Sequence, residues 1–398
     1  MSSEKSTIIS KPMTIMFGLN MLCIGVAISS TAPYVAVVGV GTLGINNSVF
    51  ASIIAVGSIV SAMLSLLVGY MSDHLRDRRI LILIAACIGA SGYSIIYSAQ
   101  SKLTFFLIVG FAAPVGASLA FSQSFAFIRT YYDRRADFII PVLRTVYATA
   151  WVISPPLVGM LASKYSVFII FLVSAIAYLC LILIWAVIIA SKMPCSSEQA
   201  DGALPNVVKT KVSFLSIFGI VGVVIVTIAM RLVGLSVPLM IVKQLGGTVS
   251  DVGVYAGLTA GLEIPFMILW AFIARRLSAE LIIGSNALLY GLYSLLMANT
   301  HSLKEVYYLQ VMNGVAASAL LSITISYIQG AIKGRIGLST SLIDLVGTSA
   351  NLSSAVIFGA FSTSENYHTV LMAAASAAGI GGATILFSAF GRTRRLIA

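Results

Sequence analysis

Long apolar blocks separated by short polar breaks run along the whole chain. Each block reaches the ~20 residues that an α-helix needs to cross the hydrocarbon core of a bilayer. The pattern predicts twelve such helices, at 13–38, 48–71, 79–99, 103–128, 138–162, 166–191, 213–241, 250–273, 279–299, 305–329, 338–362 and 368–390. Most breaks are very short. The exception is 192–212, KMPCSSEQADGALPNVVKTKV, polar with two prolines, which separates six spans from six. The pattern predicts an all-α membrane protein with twelve transmembrane helices. They form an N-terminal six-helix half (1–191), a cytoplasmic linker (192–212) and a C-terminal six-helix half (213–398).

Composition agrees with the pattern. Of the 398 residues, 59% are hydrophobic and 9% are charged, where a soluble domain carries roughly 25% charge. That excludes a water-soluble globule, and the apolar sequence after Met1–Lys11 is too long for a cleaved leader. The net charge of +11 does not point to nucleic acid, because the basic residues sit in short loops. With the N-terminus inside, Lys5, Lys11, Arg76, Arg78, Arg79, Arg129, Arg134, Arg135, Lys192, Lys209, Lys211, Arg275, Arg276, Lys333, Arg335, Arg392, Arg394 and Arg395 fall on the cytoplasmic side. Lys102, Lys164, Lys243 and Lys304 fall outside. This asymmetry predicts cytoplasmic N- and C-termini by the positive-inside rule. Cys23, Cys87, Cys180 and Cys195 show no metal or redox spacing, and His74, His301 and His368 form no cluster, so no metal or cofactor is expected.

The two halves rhyme weakly. Span 2 ends in GYMSDHLRDRR (69–79) and its counterpart, span 8, ends in AFIARRLSAE (271–280). A six-plus-six repeat is how major facilitator transporters are built. The first stretch is similar to that superfamily's loop motif at Gly69, Asp73, Arg78 and Arg79, with His74 where a basic residue is usual. Gly69 permits close helix approach, and Asp73 can meet the positive end of span 11. The arginines can bind anionic head groups. These four residues are expected to take part in gating. The same stretch contains D-x-x-x-D, a diphosphate-metal pattern of intramembrane transferases. Its one formal partner, Asp133/Asp137, is interleaved with arginines, which argues against an enzyme. No G-x-x-x-x-G-K-[ST] phosphate loop occurs for ATP, so any energy must come from a gradient.

Span 5 carries Ser154, Pro155, Pro156 and Gly159, a degenerate Gly-Pro-rich motif whose small and bent positions suit packing against span 8. RTVYATAWVISPPLVGMLA, AGLEIPFMIL and LQVMNG…YIQGAIKGRIGLSTSL together resemble the bacterial sugar efflux transporter family within the major facilitator superfamily. Family-like positions are Gln123, Arg129, Arg144, Trp151, Pro155, Pro156, Pro238, Glu263, Pro265, Gln310, Asn313, Gln329 and Arg335. The resemblance implies export of sugars or glycosides across the bacterial inner membrane, by proton antiport. The chain departs from the family in span 7. Where the family has an acid two residues before the Pro-Leu pair, this sequence has Ser236, with Arg231 upstream.

Ionisable residues within spans are functional candidates, because burying a charge mid-bilayer costs about 2.5–3.5 kcal/mol on insertion scales. Of thirteen acids only Glu263 and Asp344 lie in spans, and of the bases only Arg144 and Arg231. Spans 5 and 8 face each other in the expected fold, so Arg144 and Glu263 form a candidate pair. Glu263, Asp344 and Arg144 are thus the proton-coupling candidates. Sugar hydroxyls call for amides and sugar rings for an aromatic face. Asn20, Gln123, Gln310 and Asn313 supply the amides, Tyr147 and Trp151 the rings, and Pro155 and Pro156 join the gating set. The expected partners are a sugar, protons and the bilayer, with the protein acting as a monomer. The alternative on the same fold is a multidrug or other amphiphile exporter. A non-transporting sensor is disfavoured, since no soluble domain is present to carry a signal.

Overall fold

Twelve helices account for the apolar blocks in a computed structural model that describes residues 11–72, 78–132, 136–191, 214–331, 336–362 and 366–397. In chain order they are α1 (Lys11–Ser29), α2 (Asn47–Ser72), α3 (Arg78–Ala99) and α4 (Lys102–Tyr132), followed by α5 (Ala136–Lys164), α6 (Ile169–Ala190), α7 (Phe214–Lys243) and α8 (Val249–Ile273). The last four are α9 (Ala279–Ala298), α10 (Leu303–Ala331), α11 (Ile336–Phe361) and α12 (His368–Ile397). All twelve are long and apolar enough to cross a membrane, and the chain is a multi-pass, all-α membrane protein. Leu183, Phe387 and Val356 are exposed, each by 66% or more, as befits side chains that meet lipid. The linker 192–212 lies outside the described residues.

Two spans differ from expectation in detail. The first was expected to run over 13–38, but α1 ends at Ser29 and the chain continues through a 3-10 turn (Ala32–Tyr34) and a π-helical segment (Val37–Thr42). Pro33 explains the break, since it has no N–H for the Ser29 carbonyl four residues earlier. Helix α4 likewise carries a π-helical segment at Ile108–Ala112.

The repeat that is faint in the sequence is plain in the packing. In the first half α1 packs on α5 and α6, α3 on α4 and α6, and α2 on α4. In the second half α7 packs on α11 and α12, α9 on α10 and α12, and α8 on α10. Adding six to each number maps one set onto the other. The halves meet through α2 with α11 and α5 with α8, a pair of contacts that the same operation exchanges. This is the major facilitator fold of two six-helix halves.

An even number of crossings puts both termini at one end, here called the terminal face. The other end, bearing the α1–α2, α5–α6, α7–α8 and α11–α12 connections, is the distal face. Among the described residues, the side-chain contacts that join the halves gather toward the distal face. Ser48 Oγ donates to the Gly359 carbonyl (3.1 Å) and Asn47 Nδ2 to that of Ser362 (3.4 Å). Phe50 meets Phe358 edge-on at 6.0 Å. On the other side of the bundle, the Ser250 N–H donates to Ser163 Oγ (2.9 Å).

Candidate functional site

The tightest part of the distal seal is the α5–α8 crossing. A Cβ on Gly257 would fall 2.4 Å from Pro156 Cγ, and one on Gly253 would fall 2.5 Å from the Pro155 carbonyl oxygen. Only glycine allows these backbones to approach so closely. Pro156 has no N–H for the Val152 carbonyl, and the α8 backbone lies over that freed oxygen, 3.0 Å from the position of a Gly257 Cβ. Tyr34 ties the turn after α1 to the same place, its hydroxyl donating to the Pro155 carbonyl (2.6 Å). The distal end of α8 is fixed by a Thr248/Asp251 capping box, and Tyr307 of α10 donates to Asp251 (2.7 Å). Pro155 and Pro156 therefore sit at the contact between the halves.

Below the seal, α8 is the least enclosed of the spans. Only 6% of the most apolar stretch of α8 is buried, against 28% or more in every other span. In the first half, Tyr147 and Trp151 of α5 are half-buried. The Tyr147 ring meets Phe121 edge-on (5.0 Å), and Phe121 meets Phe125 (4.8 Å), so α4 and α5 share an aromatic wall. Asn20 is fully buried behind it. Its Oδ1 accepts from Trp185 Nε1 (2.7 Å) and Ser124 Oγ (3.4 Å), while its Nδ2 has no partner. Gln123 is also buried, with an unpartnered Oε1. Buried amide atoms without partners are costly, and these two have capacity left for a ligand or water.

The second half holds a more closed polar cluster. Gln310 is 0% exposed. Its Oε1 accepts from Thr259 Oγ1 (2.9 Å) and Asn313 Nδ2 (2.9 Å), and its Nε2 donates to the Val306 carbonyl (2.7 Å). Asn313 Nδ2 also lies 3.4 Å from Thr259 Oγ1. These amides join α8 to α10 rather than stand free. Tyr293 lies beside Gln310 and Tyr255, its hydroxyl buried without a hydrogen bond within 3.5 Å.

Glu263 is half-buried on α8, in electrostatic reach of Tyr255 and Tyr290. Arg144 is exposed on α5, in reach of Tyr147 one turn away, and the structure does not join it to Glu263. The charge nearest to sharing the Glu263 environment is instead Arg231 of α7, which also reaches Tyr290. Asp344 is exposed on α11 toward the terminal face. Arg79 is buried and Arg78 half-buried at the start of α3, and Gly69 lies in α2. Asp73, His74, Asp77, Asp133, Asp137 and Arg335 include the loop-motif acids. Of these, Asp137 lies in helix α5, and the others lie outside the described residues. Among the described residues no group of three or more His, Cys, Asp or Glu could hold a metal.

Sequence reasoning did not single out Thr259, Tyr255, Tyr290, Trp185 or Ser124. Hydroxyls and aromatic rings recur in every span, and nothing in their spacing distinguishes the ones that reach across to a neighbouring helix.

A bundle of twelve spans in two equivalent six-helix halves, sealed at one end by two symmetry-related helix pairs, defines a class of membrane transport protein. A family model of the Major Facilitator Superfamily matches residues 13–219, and the chain belongs to that superfamily. Sugar efflux transporter C of Escherichia coli is 26% identical over 83% of this chain and 84% of its own length. Sugar efflux transporter B of Salmonella typhimurium is 27% identical over 72% of each chain. The resemblance to the bacterial sugar efflux family is thus borne out. Among solved structures, the nucleoside transporter NupG superposes with a TM-score of 0.74 at 12% identity, covering 94% of this chain and 98% of that one. A peptide transporter POT in complex with sulfate superposes with a TM-score of 0.77 at 12% identity, covering 94% of each. These likenesses show the fold.

Proposed function

We propose that this protein exports sugars or glycosides by alternating access, coupled to proton entry, across the bacterial cytoplasmic membrane with both termini inside. The substrate class is supported by the relatives named sugar efflux transporters. Orientation rests on the basic loops of the terminal face. The coupling reading is carried by one observation: Glu263, mid-span and without an ion pair among the described residues, stands on the helix whose distal end forms the seal with α5. A proton gained or lost there changes the charge on the element that must move when the distal side opens. Pro265, two residues on, lacks the N–H that would bond the Gly261 carbonyl and so gives α8 a place to flex. Gln123, Asn20, Tyr147 and Trp151 supply the amides and rings for the sugar, with Gln310 and Asn313 holding the opposite wall.

The test is uptake of labelled lactose and glucose by everted vesicles on imposing an acid-inside pH gradient. Accumulation that a protonophore abolishes is expected. A second reading, export of aromatic amphiphiles, draws on the half-exposed wall of Phe121, Phe125 and Tyr147 and on the burial of the amides. Vesicles that accumulate a lipophilic dye but neither sugar would replace the first reading with this one.

A further inference from the structure

Arg231 lies on α7 twelve residues before the distal end at Lys243, about 18 Å along the helix at 1.5 Å per residue. Glu263 lies fourteen residues from the distal end of α8, about 21 Å by the same measure. Both therefore stand at the middle of the bundle, at one level, and Tyr290 is within electrostatic reach of each. Yet Arg231 is exposed, surrounded by the bundle, and makes no hydrogen bond or ion pair with any described residue. Its donors are left without partners among the described residues.

A guanidinium carries five N–H donors in a planar fork, keeps its charge at any relevant pH, and is matched by a carboxylate or phosphate through two parallel bonds. Placing one mid-membrane is costly, and the protein does not offset that cost with a fixed carboxylate. The remaining acids on helices packed against α7 are at other levels. Asp344 is seventeen residues from the distal end of α11, about 26 Å, and Glu280 eighteen residues from that of α9, about 27 Å. Asp251 and Glu305 lie at the distal face itself. Glu263, the one carboxylate at this level, leaves the fork unengaged. A neutral sugar would meet the donors with hydroxyls but leave the charge uncompensated.

We infer that Arg231 is an anion-recognition residue in the central space, and that the preferred cargo is a sugar bearing a carboxylate or phosphate group. This rests on the sugar reading above and narrows it. The fork would hold the acidic group, with Tyr290 beside it, while the aromatic wall of α4 and α5 faces the ring.

The test is equilibrium binding of glucose, glucuronate and glucose 6-phosphate to the purified full-length protein in lipid nanodiscs. Wild-type protein should bind at least one of the two acids tenfold or more tightly than glucose, and which acid wins separates carboxylate from phosphate recognition. Arg231→Gln should reduce that preference to about twofold or less, and Arg231→Lys, which keeps the charge but not the fork, should retain part of it. Equal affinity for glucose and both acids overturns the inference and leaves the sugar reading standing. So does an acid preference that survives Arg231→Gln. Binding of none of the three removes the sugar reading and the inference with it. The wild-type comparison needs no variant, so a poorly folding Arg231→Gln does not block the result.

Discussion

At the residue scale, the site divides into side chains that have capacity to spare and side chains already used by the protein. Glu263 belongs to the first group. Glu263→Gln keeps the shape and removes the exchangeable proton, so proton-driven sugar accumulation in everted vesicles is expected to fall to background while sugar counterflow persists. Undiminished accumulation would reduce Glu263 to a structural role and turn attention to Asp344. Gln123 has an unpartnered Oε1, and one hydrogen bond to a sugar hydroxyl is worth about 0.5–1.5 kcal/mol. Gln123→Ala should therefore weaken sugar binding about two- to tenfold with little change in thermal stability. Gln310 is the contrast. Its amide holds Thr259 and Asn313, so Gln310→Ala should lower the melting temperature measurably, because it removes the acceptor that ties α8 to α10 and leaves the buried Asn313 amide only its longer contact with Thr259. A melting temperature equal to wild type would contradict that division.

At the scale of elements, the α5–α8 crossing is the closest approach between the halves at the distal face. Its geometry needs Gly253 and Gly257 on one helix and Pro155 and Pro156 on the other, in register. Gly257→Val places carbon where Pro156 already is, and overpacking of this kind costs about 1–3 kcal/mol. The penalty falls on the distally closed arrangement alone, so the population should move toward the distally open one by about fivefold or more. Labelling of a cysteine introduced below the seal, with a membrane-impermeant reagent applied from the distal side, would report the shift. Labelling at the wild-type rate would mean that α5 and α8 are not the gate. The spans themselves were legible from apolar length. The early end of α1 was signalled by Pro33, but the hydrophobic pattern runs on through Val40 and masks it.

At the scale of the whole molecule, the two halves are held together by the distal contacts of α2 with α11 and α5 with α8. The proposed alternating access would require these to separate on every cycle. Ser163 and Ser250 meet across the halves, so Ser163→Cys with Ser250→Cys, in a background lacking the native cysteines, should form a cross-link on oxidation. Transport should stop when it forms and return on reduction. Transport that continues through a complete cross-link would show that this end does not open.

Membership of the fold could be read from the chain because membrane insertion is a local test. Each helix satisfies its own backbone hydrogen bonds and must be apolar over a fixed length. Length, hydropathy and the siting of Arg and Lys therefore establish the twelve spans and give the expected orientation. Pairings between spans are not local. That Gln310 is occupied by Thr259 while Gln123 is not, that Asn20 is held by Trp185, and that Arg231 rather than Arg144 shares the surroundings of Glu263 all depend on helix rotation and register. Neighbouring spans set those, and interhelical hydrogen bonds between isolated polar residues leave no period in the sequence to betray them.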